Sequence, residues 1–237
     1  MDIAFLNEAF WTVLPGVPLT LKLAASSVIL GALLALPIAM MRLSGMVSLD
    51  WLARGYVFVF RSTPLLVQIF IIYYGLGQFR DIRASFLWPL LRDPYWCAII
   101  ALTLNTAAYG SEIIRGGLVS VPAGQTEAAR AVGMNRMTLF RRITLPLAIC
   151  QALPAYGNEF ILMVKATSLA SIITMMEITG LAAKMISETY RAIEIFIVAG
   201  SVYLLINFLL TRILKQAEIR LNPHTRPVQL TAAGATR

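Results

Sequence analysis

The strongest constraint on this chain is a series of apolar segments, each about as long as a helix that crosses a membrane. Five segments qualify, at 19–41, 62–79, 95–114, 147–164 and 195–214. A span needs about 20 mostly apolar residues to cross a hydrocarbon core of roughly 30 Å. Only 14% of the residues are charged, against about 25% in a typical soluble domain. The sequence therefore predicts an all-α, polytopic helical membrane protein with about five transmembrane helices.

A sixth apolar segment, 166–183, is short and contains Glu177. Arginine and lysine are retained on the cytoplasmic side of a membrane, and they are concentrated both after the third span and after the fifth. Two regions on the same side are joined by an even number of crossings, which spans 147–164 and 195–214 already supply. We therefore expect 166–183 to lie within or against the bundle, with the N-terminus outside and the C-terminus inside.

Three parts follow one another along the chain. We predict an N-terminal periplasmic or interfacial segment (1–18), a transmembrane domain (19–221) that contains a cytoplasmic loop (116–146), and a cytoplasmic tail (222–237). The stretch 42–61 is expected to be a loop on the inner side. The formal net charge of +8 is explained by the cytoplasmic arginines and lysines, so it does not indicate a nucleic-acid partner.

The loop 116–146 is charged and carries the signals of two short helices. The first is predicted to follow Pro122 and to end before Gly133, whose permissive backbone allows a corner. The second is predicted to run from Asn135, a good N-cap residue, to about Thr144, ahead of Pro146. Its helical spacing places Met134, Met137 and Phe140–Arg141 near one face, with Arg136 pointing elsewhere. That face suits either docking onto another protein or a position on the membrane surface.

The same loop resembles the EAA loop of ABC-importer permeases. The fixed positions are Glu127-Ala128-Ala129, Gly133 after three residues, Ile143, and then Leu145-Pro146. Flanking stretches such as "RSTPLLVQIFIIYYGLG" and "LPAYGNEFILMVKATSLAS" resemble the polar amino acid branch, which includes permeases for histidine, arginine, octopine and nopaline. The resemblance implies a type I importer fold in the bacterial inner membrane, and it implies uptake of a polar, basic amino acid or an opine. We keep the name EAA loop for residues 116–146.

The resemblance also implies roles for the loop and a set of partners. The helix before Gly133 and the turn after it would form the coupling helix, which enters a cleft in an ATP-binding subunit. The implied coupling residues are Glu127, Ala128, Ala129, Gly133, Met134, Met137, Arg141, Ile143 and Pro146. The implied partners are ATP-binding subunits, a periplasmic solute-binding protein, membrane lipid and a second permease, which is either a copy of this chain or a related one.

The sequence favours transport over other functions. No G-x-x-x-x-G-K-[ST] phosphate loop is present, so ATP is expected to be used by a partner and this chain to need no cofactor. The single histidine, His224, lies in the tail, and Cys97 and Cys150 lie on separate spans without metal-ligand spacing, which argues against an enzyme or a metal site. An ion-gradient-driven secondary amino acid transporter remains the alternative, although the docking-type loop fits it poorly.

Polar residues inside the spans are the candidates for substrate binding. Glu159 is the strongest, because an ionisable residue within a span is costly and commonly functional; a structural carboxylate is the alternative. Asn105, Thr106, Gln68 and Tyr73 are weaker candidates, since such groups commonly hydrogen-bond between helices. Ser168 is added because its surroundings resemble the family's "K-x-T-S-L" stretch. Glu112 is expected to be structural, through a pair with Arg115.

Overall fold

The structure, a computed structural model, describes residues 2–221. Its α-helices are, in chain order, α1 (Ile3–Val13), α2 (Val17–Leu43), α3 (Val47–Ser62), α4 (Leu65–Phe70), α5 (Arg80–Arg83), α6 (Trp88–Leu91), α7 (Pro94–Val119), α8 (Ala123–Ala131), α9 (Arg136–Leu139), α10 (Leu145–Ala166), α11 (Ile178–Thr189) and α12 (Ala192–Leu221). The 3₁₀ turns are Leu14–Gly16, Leu76–Gln78 and Thr167–Ile173, and the π turns are Ile71–Gly75 and Phe140–Thr144. The predicted tail 222–237, with His224, lies outside the described residues.

Within residues 2–221, four helical stretches are long and apolar enough to cross a membrane. They are Ile3–Leu43, Pro94–Val119, Arg136–Ile173 and Ala192–Arg220. A fifth span results if α3 and Leu65–Gln78 are taken together, although the two are bent by 103°. The prediction of an all-helical chain with about five spans is confirmed.

The second predicted span differs from the observed one. The expected inner loop 42–61 is largely occupied by α3, and the helix breaks at Thr63 and Pro64, both of which have extended backbone. Proline cannot continue the hydrogen-bond ladder and disfavours helical backbone in the residue before it. The charges of α3 hid its helical nature from a search for apolar runs, but Ala53 and Val57 are buried.

The N-terminal segment is helical and packs into the bundle. The stretch from Ile3 to Leu43 is interrupted only by the 3₁₀ turn Leu14–Gly16. Ala9 and Val13 on α1 are fully buried, and α1 contacts both α11 and α12. The predicted boundary between residues 18 and 19 therefore does not coincide with a break in the helix.

The region 166–183 folds back within the bundle. Thr174, with φ of 69°, is left-handed and ends the 3₁₀ turn Thr167–Ile173. The following helix, α11, has 12 residues, which corresponds to about 18 Å and is too short for a hydrocarbon core of roughly 30 Å. Its shortness agrees with the expectation that 166–183 does not cross.

Candidate functional site

The turn between the two EAA-loop helices is set by a glycine. Gly133 has a φ of 80°, a conformation that a side chain disfavours. The N–H of Gly133 donates to the carbonyl of Arg130 at 2.9 Å, and the N–H of Met134 donates to that of Ala129 at 3.1 Å. This pair of hydrogen bonds is a Schellman motif, which satisfies the last carbonyls of α8. The predicted corner at Gly133 is therefore present.

The side chains of the EAA loop are mostly exposed, and a cleft separates its two helices. Of the three residues that open the motif, Ala129 is buried while Glu127 and Ala128 are exposed. Met137 is 67% exposed. The cleft has a volume of about 580 Å³ and is lined by Arg130, Met134, Arg136, Leu139, Phe140 and Thr144.

The predicted face of the second loop helix is only partly right. Met134 and Arg136 line the same cleft, whereas helical spacing placed them apart. The reason is that Asn135 is the N-cap, its Oδ1 accepting the N–H of Thr138 at 2.8 Å. Met134 thus precedes the helix, and its side chain does not follow the helical period.

The second loop helix does not end at Pro146. It continues through the π turn Phe140–Thr144 into α10, so that one helical stretch runs from Arg136 to Ile173. In the wide turn, the N–H of Leu145 reaches the carbonyl of Phe140, five residues back. Pro146 sits at the start of α10. Because proline lacks an N–H, the wider turn lets the helix pass this position, and the loop is joined to α10 by continuous helix.

Glu159 lies on this continuous helix and is buried, with 6% of its surface exposed. No described residue donates a hydrogen bond to its carboxylate or forms an ion pair with it. The guanidinium of Arg61 is the described positive charge that acts on it. An intramembrane carboxylate with so few partners is a functional candidate, and its role in substrate binding stays a prediction.

Gln68 and Asn105 are brought together, but at the break after α3. The Gln68 Nε2 donates to the carbonyls of Phe60 and Thr63 at 2.9 and 3.1 Å, and Asn105 Nδ2 donates to Gln68 Oε1 at 3.2 Å. The carbonyls at the end of α3 have lost their helical partners. The two amides therefore stabilise the bend.

The remaining sequence candidates have contacts of their own. Thr106 is fully buried and packs against Gly31 of α2. Tyr73 lies in the π turn Ile71–Gly75 and stacks edge-on to Tyr74. The Ser168 hydroxyl donates to the carbonyl of Lys165 at 2.7 Å. Substrate roles for these residues stay predictions.

The sequence search missed a chain of ion pairs that joins α2, α3 and α7. Arg42 pairs with Asp50 at 2.8 Å and with Glu112 at 2.7 Å. Arg54 then extends the chain from Asp50, and Arg115 extends it from Glu112. The expected pair of Glu112 with Arg115 is present. The separation of Arg42 from Glu112 by 70 positions leaves no local signal for their contact.

Glu177 is a second buried carboxylate, and its partners are local. It is fully buried and accepts the N–H groups of Thr179 and Gly180 at 2.9 Å each as the N-cap of α11. It also accepts the hydroxyl of Tyr203 at 2.6 Å. These bonds tie α11 to α12, so Glu177 is structural.

Comparison with known proteins places this geometry in a family. The family of binding-protein-dependent transport system inner membrane components matches residues 19–222. The octopine transport system permease OccM of Rhizobium radiobacter is 60% identical, over 97% of this chain and 94% of its own. The arginine ABC transporter permease ArtM of Haemophilus influenzae is 38% identical, over 90% and 93%.

A solved structure agrees with these sequence matches. The crystal structure of an amino acid ABC transporter with histidines superposes with a TM-score of 0.83 and 34% identity, covering 93% of this chain and 99% of that one. The fold of this chain is thus that of an amino acid ABC transporter. This chain is a member of the binding-protein-dependent transport system inner membrane components, the permease subunits of ABC importers.

Proposed function

We propose that this permease forms half of a pathway that imports basic amino acids or opines at the expense of ATP hydrolysed by a partner. It works with a second permease, two ATP-binding subunits and a periplasmic solute-binding protein. The EAA loop faces the cytoplasm, the N-terminus faces outside, and the protein resides in the bacterial inner membrane. The continuous helix from Arg136 to Ile173 carries this proposal, because it joins an exposed docking loop directly to the span that holds Glu159.

The proposed substrates share a positive group. Octopine and arginine, the cargoes named for the two relatives, both contain a guanidinium. Glu159 is a buried carboxylate without a hydrogen-bond donor among the described residues, so a cationic group entering the site would supply the direct hydrogen bonds that the carboxylate lacks. Charge-assisted hydrogen bonds of this kind are about twice as strong as neutral ones.

The docking of the EAA loop is tested by photo-cross-linking in the assembled complex. A photoreactive amino acid replaces Met137, which is 67% exposed, or Phe86, which is 89% exposed and lies in the segment between the second and third spans. We expect capture of the ATP-binding subunit from position 137 and none from position 86. Capture from position 86 alone would reverse the proposed orientation, and capture from neither position would remove the coupling role.

The role of Glu159 is tested by Glu159→Gln in the reconstituted complex. Losing a charge-assisted hydrogen bond costs about 1.5–3 kcal/mol, so we expect the apparent affinity for arginine uptake to fall about tenfold to a hundredfold. Glu188→Gln, an exposed carboxylate on α11, is the control and should transport like the parent. Unchanged uptake by Glu159→Gln would show that the carboxylate is structural.

A further inference from the structure

Arg61 is the second-last residue of α3, and its backbone lies about halfway through the depth of the bundle. Near that end of α3, the Tyr56 hydroxyl donates to the carbonyl of Leu104 at 2.7 Å. One turn further on, Asn105 Nδ2 donates to the carbonyl of Phe60 at 3.3 Å. Leu104 and Asn105 lie near the middle of α7. Arg61 follows Phe60 directly, so its backbone is held at mid-depth.

Glu159 reaches the same depth from the other side. Gly117 of α7 meets Ala148 of α10, and Gly110 of α7 meets Tyr156 of α10, so the two helices run antiparallel. Glu159 lies about one helical turn after Tyr156. Because the helices are antiparallel, Glu159 is level with the turn of α7 that precedes Gly110. That turn includes the positions next to Asn105. Arg61 and Glu159 therefore lie at about the same level in the membrane.

Arg61 differs from its basic neighbours in having no carboxylate partner. Arg42, Arg54 and Arg115 all form ion pairs with Asp50 or Glu112. Among the described residues, Arg61 forms none within 4.0 Å. Its guanidinium stacks over the ring of Tyr109, 4.9 Å from the centroid. Stacking engages the face of the guanidinium and leaves its N–H edge available to an anion.

The surroundings of Arg61 are open enough to admit a ligand. A cleft of about 450 Å³ is lined by Arg61, Ser62 and Tyr109, by the ion-paired Arg42, Arg54 and Glu112, and by Val57 and Phe58. Arg61 and Ser62 are exposed in this chain. An unneutralised arginine at mid-depth is costly in lipid, and lipid headgroups lie at the membrane surface rather than at this level. These two points favour a polar ligand within the pathway.

We propose that Arg61 binds the carboxylate of the substrate while Glu159 binds its positive side chain. Arg61 and Glu159 lie at about the same level and form no ion pair with each other among the described residues, so a ligand that carries both signs can join them. The site then selects an α-amino acid or opine with a cationic side chain, and Ser62 supplies a second donor. This inference rests on the substrate role proposed for Glu159 and adds the second half of the site.

A binding measurement without the solute-binding protein tests the site in the permease by itself. The complex of permeases and ATP-binding subunits in lipid nanodiscs is titrated with L-arginine and with L-argininamide, which lacks only the carboxylate charge. We expect argininamide to bind about tenfold to a hundredfold more weakly to the wild type. Arg61→Gln should remove that difference by weakening arginine alone, and Arg61→Lys should restore part of it.

The control is Arg212→Gln, which removes another guanidinium stacked on an aromatic ring, at 5.1 Å from the centroid of Phe208. It should keep the wild-type preference for arginine. Equal binding of both ligands to the wild type overturns the inference without any variant, as does an Arg61→Gln complex that keeps the preference. If the wild type binds neither ligand, both halves of the site fall, while ATP-binding-subunit capture from position 137 still decides the coupling role.

Discussion

Small residues decide how closely α7 approaches its neighbours. A Cβ atom at Gly117 would lie 2.7 Å from the carbonyl oxygen of Ala148 and 3.0 Å from the Cβ of Ala152. Gly31 of α2 and Gly110 of α7 make similarly close approaches, to Thr106 and to Tyr156. Helices in membranes associate through such close packing, because lipid offers no hydrophobic driving force between them. The position of Glu159 relative to α7 therefore depends on residues without side chains.

Two adjacent glycines give a matched test of this packing. Gly117→Ala is expected to destabilise the permease by about 1–3 kcal/mol, since the added methyl group must displace backbone atoms of α10. Gly116→Ala has no atom within 4 Å and should stabilise the helix by about 0.5–1 kcal/mol. Thermal unfolding of the purified complex measures both. Equal melting temperatures for the two variants would contradict the close approach.

The sequence was enough to single out the polar residues within the spans, but not to predict which groups they contact. The sequence singled out Glu159 by its charge and depth, and the structure buries it as expected. Gln68 and Asn105 were singled out for the same polarity, yet their amides contact the backbone of the bend. Arg61 was assigned to a loop, because the prediction had no way to place the end of α3 against the middle of α7. Partners distant in sequence leave no local pattern.

Among the elements, the break between α3 and α4 is the least regular part of the second span. Thr63 and Pro64 are extended, so the carbonyls of Phe60 and Thr63 have no helical partner. Gln68 reaches back to both. Asn105 also donates to the carbonyl of Phe60. Backbone groups left unpaired in a membrane interior are costly, so the two amide side chains make the 103° bend tolerable. The bend also fixes the position of Arg61, which lies directly before the last residue of α3.

Gln68→Leu tests this account of the bend. Leucine has a similar volume to glutamine but no hydrogen-bond donor. We expect a loss of about 1–3 kcal/mol, because the Thr63 carbonyl is left unpaired while the Phe60 carbonyl keeps the bond from Asn105. Val67→Leu, at the exposed neighbouring position, is the control and should change stability little. Chemical or thermal unfolding of the complex compares them. A Gln68→Leu variant as stable as Val67→Leu would mean that other groups satisfy the bend.

The loop helices were more predictable than the spans they connect. Pro122, Gly133 and Asn135 act through local backbone chemistry, and each marks the boundary that the sequence indicated. The prediction that the second loop helix ends ahead of Pro146 was wrong, because the π turn lets the helix continue past the proline. The amphipathic helix α3 was overlooked, since a search for long apolar runs passes over a helix whose charges are paired with another element.

For the whole molecule, composition and apolar length were enough to give the class of fold and the number of spans. The family was indicated by seven positions of the EAA loop and is shown by the match over residues 19–222. Orientation in the membrane is still a prediction from arginine and lysine counts. What composition could not supply is which polar groups meet in the middle of the bundle, since that depends on helix packing.

The continuous helical passage through Phe140–Thr144 has a mechanical consequence. Phe140 and Glu159 are separated along one helix by roughly 28 Å, at about 1.5 Å per residue. If the stretch pivots at the loop as a rigid rod, a tilt of about 10° sweeps the Glu159 carboxylate sideways by roughly 5 Å. Under that assumption, a modest rotation driven from the loop changes the separation of Glu159 from Arg61, which is the separation that the proposed ligand spans.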